Sequence, residues 1–193
     1  MEHSIKRITI AVDLDGVLVE HVVPLLQRLN RTMNLCLQKH DITAWDYPIG
    51  DTDVEIEMKR AGRDKQFVRQ LPPVKGALTA MQTLSQKFDI IIATGRKVTP
   101  DSWSIDWLRK HNIPYNKFIN TSSRGKILPD VKFLIDDEIR SIEEFIRNAS
   151  LCKQAILFAQ PWNQDTRKIS DLIALKKVRT ANDWQDVLAL LFS

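Results

Sequence analysis

Three apolar runs in this chain end on residues that could do chemistry. The run from Arg7 to Asp13 leads into Asp13-Leu14-Asp15-Gly16, the run from Asp89 to Thr94 into Thr94-Gly95, and the run from Val131 into Asp136-Asp137. If these are strands of one parallel sheet, their carboxyl ends share an edge, and such sheets bind ligands beyond that edge. Four carboxylates and a hydroxyl would then converge. Left alone, the carboxylates would repel one another and resist ionisation. A hard divalent cation relieves this, and Mg²⁺ typically combines one or two carboxylates with water and phosphate oxygens. The set therefore implies a cation and a phosphate together.

Each piece has a plainer reading when taken alone. Asp-x-Asp-Gly at a strand end is commonly a turn whose side chains bond nearby backbone. Asp136-Asp137 before an isoleucine-periodic segment could cap a helix and complement its dipole. A lone Lys126 is uninformative. The combination and its order carry the argument.

The elements that must position these residues are legible from periodicity. β-branched runs bounded by charge or turn residues read as buried strands, with Gln154 to Ala159 a fourth and Lys117 to Thr121 a weaker fifth. Helical spacing lies between them: Ala77, Ala80, Met81 and Leu84; Ile139, Ile142 and Ile146; Trp184, Val187, Leu188 and Leu191. Thr99-Pro100-Asp101 predicts a helix start with Pro100 at its first position, and Trp103 and Trp107 fall on one core-facing stripe. Alternating strands and helices predict the α/β class, a doubly wound, Rossmann-like parallel sheet.

Residues 18–74 break the rhythm. They show no strong strand signal but two helix-like segments, His21 to about Lys39 and Asp53 to about Arg69, joined by the turn-rich Trp45 to Gly50. Leu71-Pro72-Pro73-Val74 returns the chain to the sheet. The expected organisation is a core of residues 1–17 and 75–193 with a small helical cap, 18–74, inserted after the first strand.

Composition bounds the function without choosing it. A chain of 193 residues, 44% hydrophobic and 27% charged, suits one globular domain with an insertion. The net charge of +4 suits an anionic substrate, but the 28 basic and 24 acidic residues form no dense basic run, which argues against nucleic-acid binding. No apolar run approaches the ~18 residues of a membrane span. Cys36 and Cys152 lack metal or redox spacing and read as reduced core thiols of a cytoplasmic protein. His21, His40 and His111 have no partners at metal-ligand spacing and read as non-catalytic. The sequence leaves oligomeric state open, a homodimer included.

The set Asp13-x-Asp15-Gly16, Thr94, Lys126 and Asp136-Asp137 resembles the haloacid dehalogenase superfamily. Its finer resemblance is to the 5′(3′)-deoxyribonucleotidase-like branch. That likeness rests on Leu71-Pro72-Pro73-Val74-Lys75-Gly76-Ala77, on Lys126 ten positions before Asp136, on Ile156 to Asn163 and on Thr43-Ala44-Trp45-Asp46. Arg96 departs from the branch, which tends to carry smaller residues there; it would meet the phosphate or solvent.

The resemblance implies a Mg²⁺-dependent phosphomonoesterase. Asp13 would be the nucleophile of an aspartyl-phosphate path, and Asp15 the general acid and then base, its backbone carbonyl also on the metal. Asp136 would complete the metal site, with Asp137 either coordinating or orienting Lys126. Thr94 and the Gly95 amide would hold a phosphoryl oxygen, and Lys126, with Arg124 as competitor, would neutralise charge. An intact second acid favours a phosphatase over a dehalogenase. Trp45 and Phe67 would either close over the substrate or pack within the insertion. The expected substrate is a small phosphate, a (deoxy)nucleoside 5′-monophosphate first. A sugar phosphate, a nucleic-acid terminal phosphate, or a non-catalytic nucleotide-binding module are the alternatives.

Overall fold

A computed structural model describes residues 7–121, 126, 128–147, 153–174 and 176–193. Its centre is a parallel sheet of six strands in the order β5-β4-β1-β6-β7-β8. These are β1 (Ile8–Val12), β4 (Phe88–Thr94), β5 (Lys117–Asn120), β6 (Phe133–Asp136), β7 (Gln154–Phe158) and β8 (Val178–Ala181). β1 pairs with β4 through Val12↔Ile92 and with β6 through Val12↔Ile135. Strand order therefore reverses at β1, and the crevice for a ligand opens beyond its carboxyl end.

Side-chain alternation splits the core into two layers. Ile10 and Val12 face one side, with α4 (Ala77–Ser85), α5 (Asp101–Lys110) and α8 (Trp184–Phe192) supplying Met81, Leu84, Trp107 and Trp184. Ala11 faces the other, with α6 (Ile139–Arg147) and α7 (Thr166–Ala174) supplying Ile142, Phe145 and Leu172. Helices on both faces give the doubly wound α/β fold that the sequence predicts.

Some elements differ from expectation. α5 starts at Asp101, and Pro100 is the residue before it, with ψ of 137°. Trp107 is buried, whereas Trp103 is half-buried. β8 and α7 carried no recognised sequence signal. Cys36 is exposed, not a core thiol. It follows α1, whose C-cap Asn34 is left-handed at φ 53°, and the chain then turns Leu35 and Leu37 inward instead. Cys152 and Arg124 lie outside the described residues.

Between β1 and α4 the chain forms α1 (Val22–Met33), a short turn at Lys39–Asp41, a hairpin of β2 (Pro48–Ile49) and β3 (Thr52–Asp53), then α2 (Val54–Ala61) and α3 (Lys65–Gln70). The hairpin sits where only turns were expected. The second expected helix is two, because Asp64 caps a new one by accepting from the amides of Gln66 and Phe67. A cap of this kind contributes about 1 kcal/mol, enough to favour a restart over continuation. This stretch has its own apolar cluster, including Val22, Leu25, Leu29, Ile42 and Val54. Val19 and Pro73 bridge its two connections, and the Val74 amide donates to Leu18 O at 2.8 Å.

Candidate active site

Asp13 follows β1 directly, its amide donating to Ile135 O on β6 at 2.9 Å. Asp136 is the last residue of β6 and wholly buried; Asp137 follows it. Oxygens of Asp13, Asp136 and Asp137 all lie within 4.8 Å of one another. Lys126 reaches this group across the fold: its Nζ donates to Asp13 Oδ1 at 2.5 Å and also to Asp136 Oδ2. It does not orient Asp137, whose Oδ2 accepts instead from Trp162 Nε1 at 2.9 Å.

Gly16 is forced by this closeness. Its φ is +77°, and a Cβ there would stand 2.2 Å from Asp137 Oδ2. Only glycine lets the Asp13-Asp15 turn and the acid pair approach this far.

Asp15 is in a different environment. Arg96 grips it with two bonds, Nε to Oδ2 at 2.7 Å and Nη2 to Oδ1 at 2.6 Å, while Arg96 Nη1 donates to Ser104 Oγ at 3.0 Å. Arg96 thus meets the second acid while still lining the cavity. His21 Nδ1 stands 4.0 Å from Asp15 Oδ1.

These surroundings separate the acids. Burial dominates at Asp13 and, with the charges of Asp136 and Asp15, outweighs Lys126, so its carboxyl is pushed up to about 7. Asp137 is raised well above the usual range, first by burial and then by Asp13 and Asp136. Burial alone would also raise Asp15, but the charge and hydrogen bonds of Arg96 overturn it and hold Asp15 at about 2. Lys126 is raised because Asp13 and Asp136 outweigh its desolvation. His21 is lowered, chiefly by burial.

Thr94 ends β4, and its hydroxyl accepts from the Arg96 amide at 3.3 Å. Gly95 lies open at the cavity edge, where a Cβ would meet nothing within 4 Å. Thr121, which sequence reasoning missed, is buried beside it and donates from Oγ1 to Thr94 O at 3.1 Å.

Above these groups opens a cavity of about 650 Å³. Asp13, Asp15, Lys126 and the acid pair form its floor; Trp45, Met58, Phe67, Val68 and Leu71 form an apolar wall. Trp45 and Phe67 are both half-buried. His21, set aside on spacing alone, stacks on Trp45 with ring centroids 5.6 Å apart and lines the cavity too. Its only sequence signal is its position six residues after Asp15. His40 is exposed and His111 packs on Trp107, 4.5 Å between centroids.

The floor suits a hard cation: three buried carboxylates converge while the one ammonium bonds only Asp13 and Asp136, and the candidate ligand atoms are all oxygens. Among the described residues no helix is long and apolar enough to cross a membrane.

Comparison with known proteins gives the same picture. Residues 6–192 match the family model described as 5′ nucleotidase, deoxy (pyrimidine), cytosolic type C protein (NT5C). A 5′(3′)-deoxyribonucleotidase of Bacillus subtilis (strain 168) is 25% identical over 166 residues, covering 82% of this chain and 89% of that protein. In fold, the chain is similar to a haloacid dehalogenase-like family hydrolase from Streptococcus pneumoniae, at TM-score 0.65, 15% identity and coverage of 95% and 98%. It is also similar to a putative β-phosphoglucomutase from Thermotoga maritima, at TM-score 0.59, 13% identity and coverage of 95% and 98%.

Proposed function

The chain belongs to the family of cytosolic type C deoxy (pyrimidine) 5′ nucleotidases, phosphatases of haloacid dehalogenase-like fold, and from that premise we propose that it hydrolyses (deoxy)nucleoside monophosphates with Mg²⁺ through an aspartyl-phosphate at Asp13. The observation that carries this reading is the cluster of Asp13, Lys126, Asp136 and Asp137 buried at the floor of an apolar-walled cavity.

An Asp13 oxygen attacks phosphorus and the bond to the leaving oxygen breaks, with a proton from Asp15 going to that oxygen. Water then attacks phosphorus, Asp15 takes its proton, and the bond to Asp13 breaks. Splitting the reaction this way replaces one difficult step by two easier ones. Lys126, held against Asp13, offsets the nucleophile's charge as the anionic phosphate approaches. Asp13, Asp136, Asp137 and the Asp15 carbonyl would hold Mg²⁺, which supplies charge neutralisation at the phosphoryl oxygens. Thr94 and Gly95 position one of those oxygens from the end of β4.

The Arg96 grip sets a condition on Asp15. A carboxylate held at about 2 has no proton to donate. An arriving phosphate would give Arg96 a second anionic partner and so ease its hold on Asp15.

Residues 18–74 act as the cap over a core of 1–17 and 75–193; their own apolar cluster supports that division, with Phe67 packed against both it and the sheet core. Trp45 and Phe67 give the wall against which a nucleobase packs, and the cavity volume falls within the range usual for small-molecule sites. The family description supports a cytoplasmic location.

The test is a phosphatase screen over nucleoside monophosphates, sugar phosphates and an aryl phosphate, with and without Mg²⁺. Turnover of nucleoside monophosphates only with Mg²⁺ is expected. No turnover of any substrate sinks the proposal, and preference for sugar phosphates keeps the chemistry but removes the nucleotide.

A further inference from the structure

The short turn Pro161–Asn163, after β7, touches three separate parts of the site. Gln160 Nε2 donates to Gly16 O at 2.6 Å, and Asn163 Nδ2 donates to Asp137 O at 2.7 Å and Phe158 O at 2.8 Å. Trp162 lies between these two anchors. The edge of its indole donates to Asp137 Oδ2, while its rings contact the insertion: Trp45 at 4.8 Å and His21 at 6.0 Å between centroids, with Lys39 Nζ 5.6 Å from its centroid. Lys39 in turn is bound to Glu20 at 2.5 Å.

We infer that Trp162 is a positioning residue that couples the insertion to the cation site, so that the seating of Trp45 and the orientation of Asp137 change together. This rests on the reading that Asp13, Asp136 and Asp137 hold Mg²⁺. An indole N–H is a donor with no acceptor capacity, so it fixes which side of Asp137 it meets. If Asp137 turns away, the N–H loses that partner. If Trp45 moves, the indole loses the tilted ring it packs against and its aim. Groups that orient metal ligands typically change metal affinity by about 10–100-fold when removed. Coupling of this kind is reciprocal: what the insertion does to cation affinity, the cation does to the insertion.

The experiment is titration of the substrate-free protein with Mg²⁺ by calorimetry, alongside tryptophan fluorescence, for wild type, Trp162→Phe, Trp45→Ala, the double variant and Asp136→Asn. Trp162→Phe keeps a ring but loses the N–H, and is expected to weaken Mg²⁺ about tenfold and to lose the Mg²⁺-dependent fluorescence change. Trp45→Ala, which removes no carboxylate contact, is expected to weaken Mg²⁺ as well, and to add little once Trp162 is already phenylalanine. Asp136→Asn is expected to lose binding. If Asp136→Asn loses binding while Trp162→Phe and Trp45→Ala bind like wild type, the coupling is overturned and the cation site stands. If Asp136→Asn binds like wild type, the cation site itself is misplaced and the coupling falls with it. Circular dichroism checks that the variants fold; should Trp162→Phe not fold, the Trp45→Ala affinity decides alone.

Discussion

At the floor of the cavity, Lys126 joins carboxylates that arrive at the ends of β1 and β6, and Arg96, just past β4, grips Asp15. Along the wall, Met58, Phe67 and Val68 come from two short helices held by their own caps and by largely exposed polar contacts. Asp53 and Asp64 cap their own helices, and Lys59 pairs with Glu55 one turn away in an exposed position. Such exposed pairs contribute only a few tenths of a kcal/mol. The floor is instead fixed by sheet register and by buried ion pairs between residues far apart in sequence. The chemistry is thus built into the sheet, whereas the part of the wall on α2 and α3, which lies outside the Trp45–Trp162 contact, can change without disturbing it. Floor substitutions should alter rate on every substrate, and substitutions on those two helices should alter which substrate is preferred.

The strongest break is Asp13→Asn, expected to lower turnover by at least about 10⁴-fold on all phosphomonoesters while the protein stays folded, as steady-state rates and circular dichroism would read. Activity near wild type would place the nucleophile elsewhere. Next comes Arg96→Ala, expected to cost about 10²-fold in kcat/KM on nucleoside monophosphates and an aryl phosphate alike, because the phosphate loses a cation while Asp15, no longer gripped, keeps its proton. Guanidinium salts should partly restore it. A loss confined to nucleoside monophosphates would mean that Arg96 acts through Asp15 and not on the phosphate. On the wall, Phe67→Ala should reduce kcat/KM for nucleoside monophosphates about tenfold while leaving the aryl phosphate nearly untouched. A uniform loss would merge floor and wall into one unit.

The smallest effect is on stability. Asp13 ionises near 3.8 when unfolded and at about 7 when folded, so the folded protein binds the extra proton between those values. Without a cation, stability is therefore fully present below about pH 4 and declines as pH rises to about 7. Asp137 adds in the same direction. Asp15 has the opposite sign, but its stabilisation is lost only as pH falls from about 4 towards 2. Melting temperature should thus fall by several degrees across the upper window, less so with Mg²⁺ or in Asp13→Asn. A melting temperature independent of pH from 4 to 7 would contradict the buried, under-compensated cluster.

The same contrast decides what could be read from sequence. Central parallel strands are buried on both faces, so β1, β4 and β6 appear as unbroken apolar runs, and the polar residue ending each run marks the site edge. β8 has Arg179 and Thr180 among its four residues and an edge position, which leaves no such run. The β2–β3 hairpin has two-residue strands, too short for any alternation to register. Lys126 gained meaning only from the family resemblance, because nothing local shows that it crosses to Asp13. His21, Thr121 and Trp162 join the site only through contacts made in the folded chain. The glycine turn that admits Asp137 beside Gly16 was foreseen as a turn, but not as a contact.

One measurement bears most directly on Asp13. A nucleoside 5′-monophosphate labelled in its phosphate is mixed with the protein and Mg²⁺, quenched in acid during turnover, and the protein is digested and mapped. The account predicts transient label on the peptide containing Asp13, and none in Asp13→Asn. Label on another residue, or full turnover by Asp13→Asn, would contradict it.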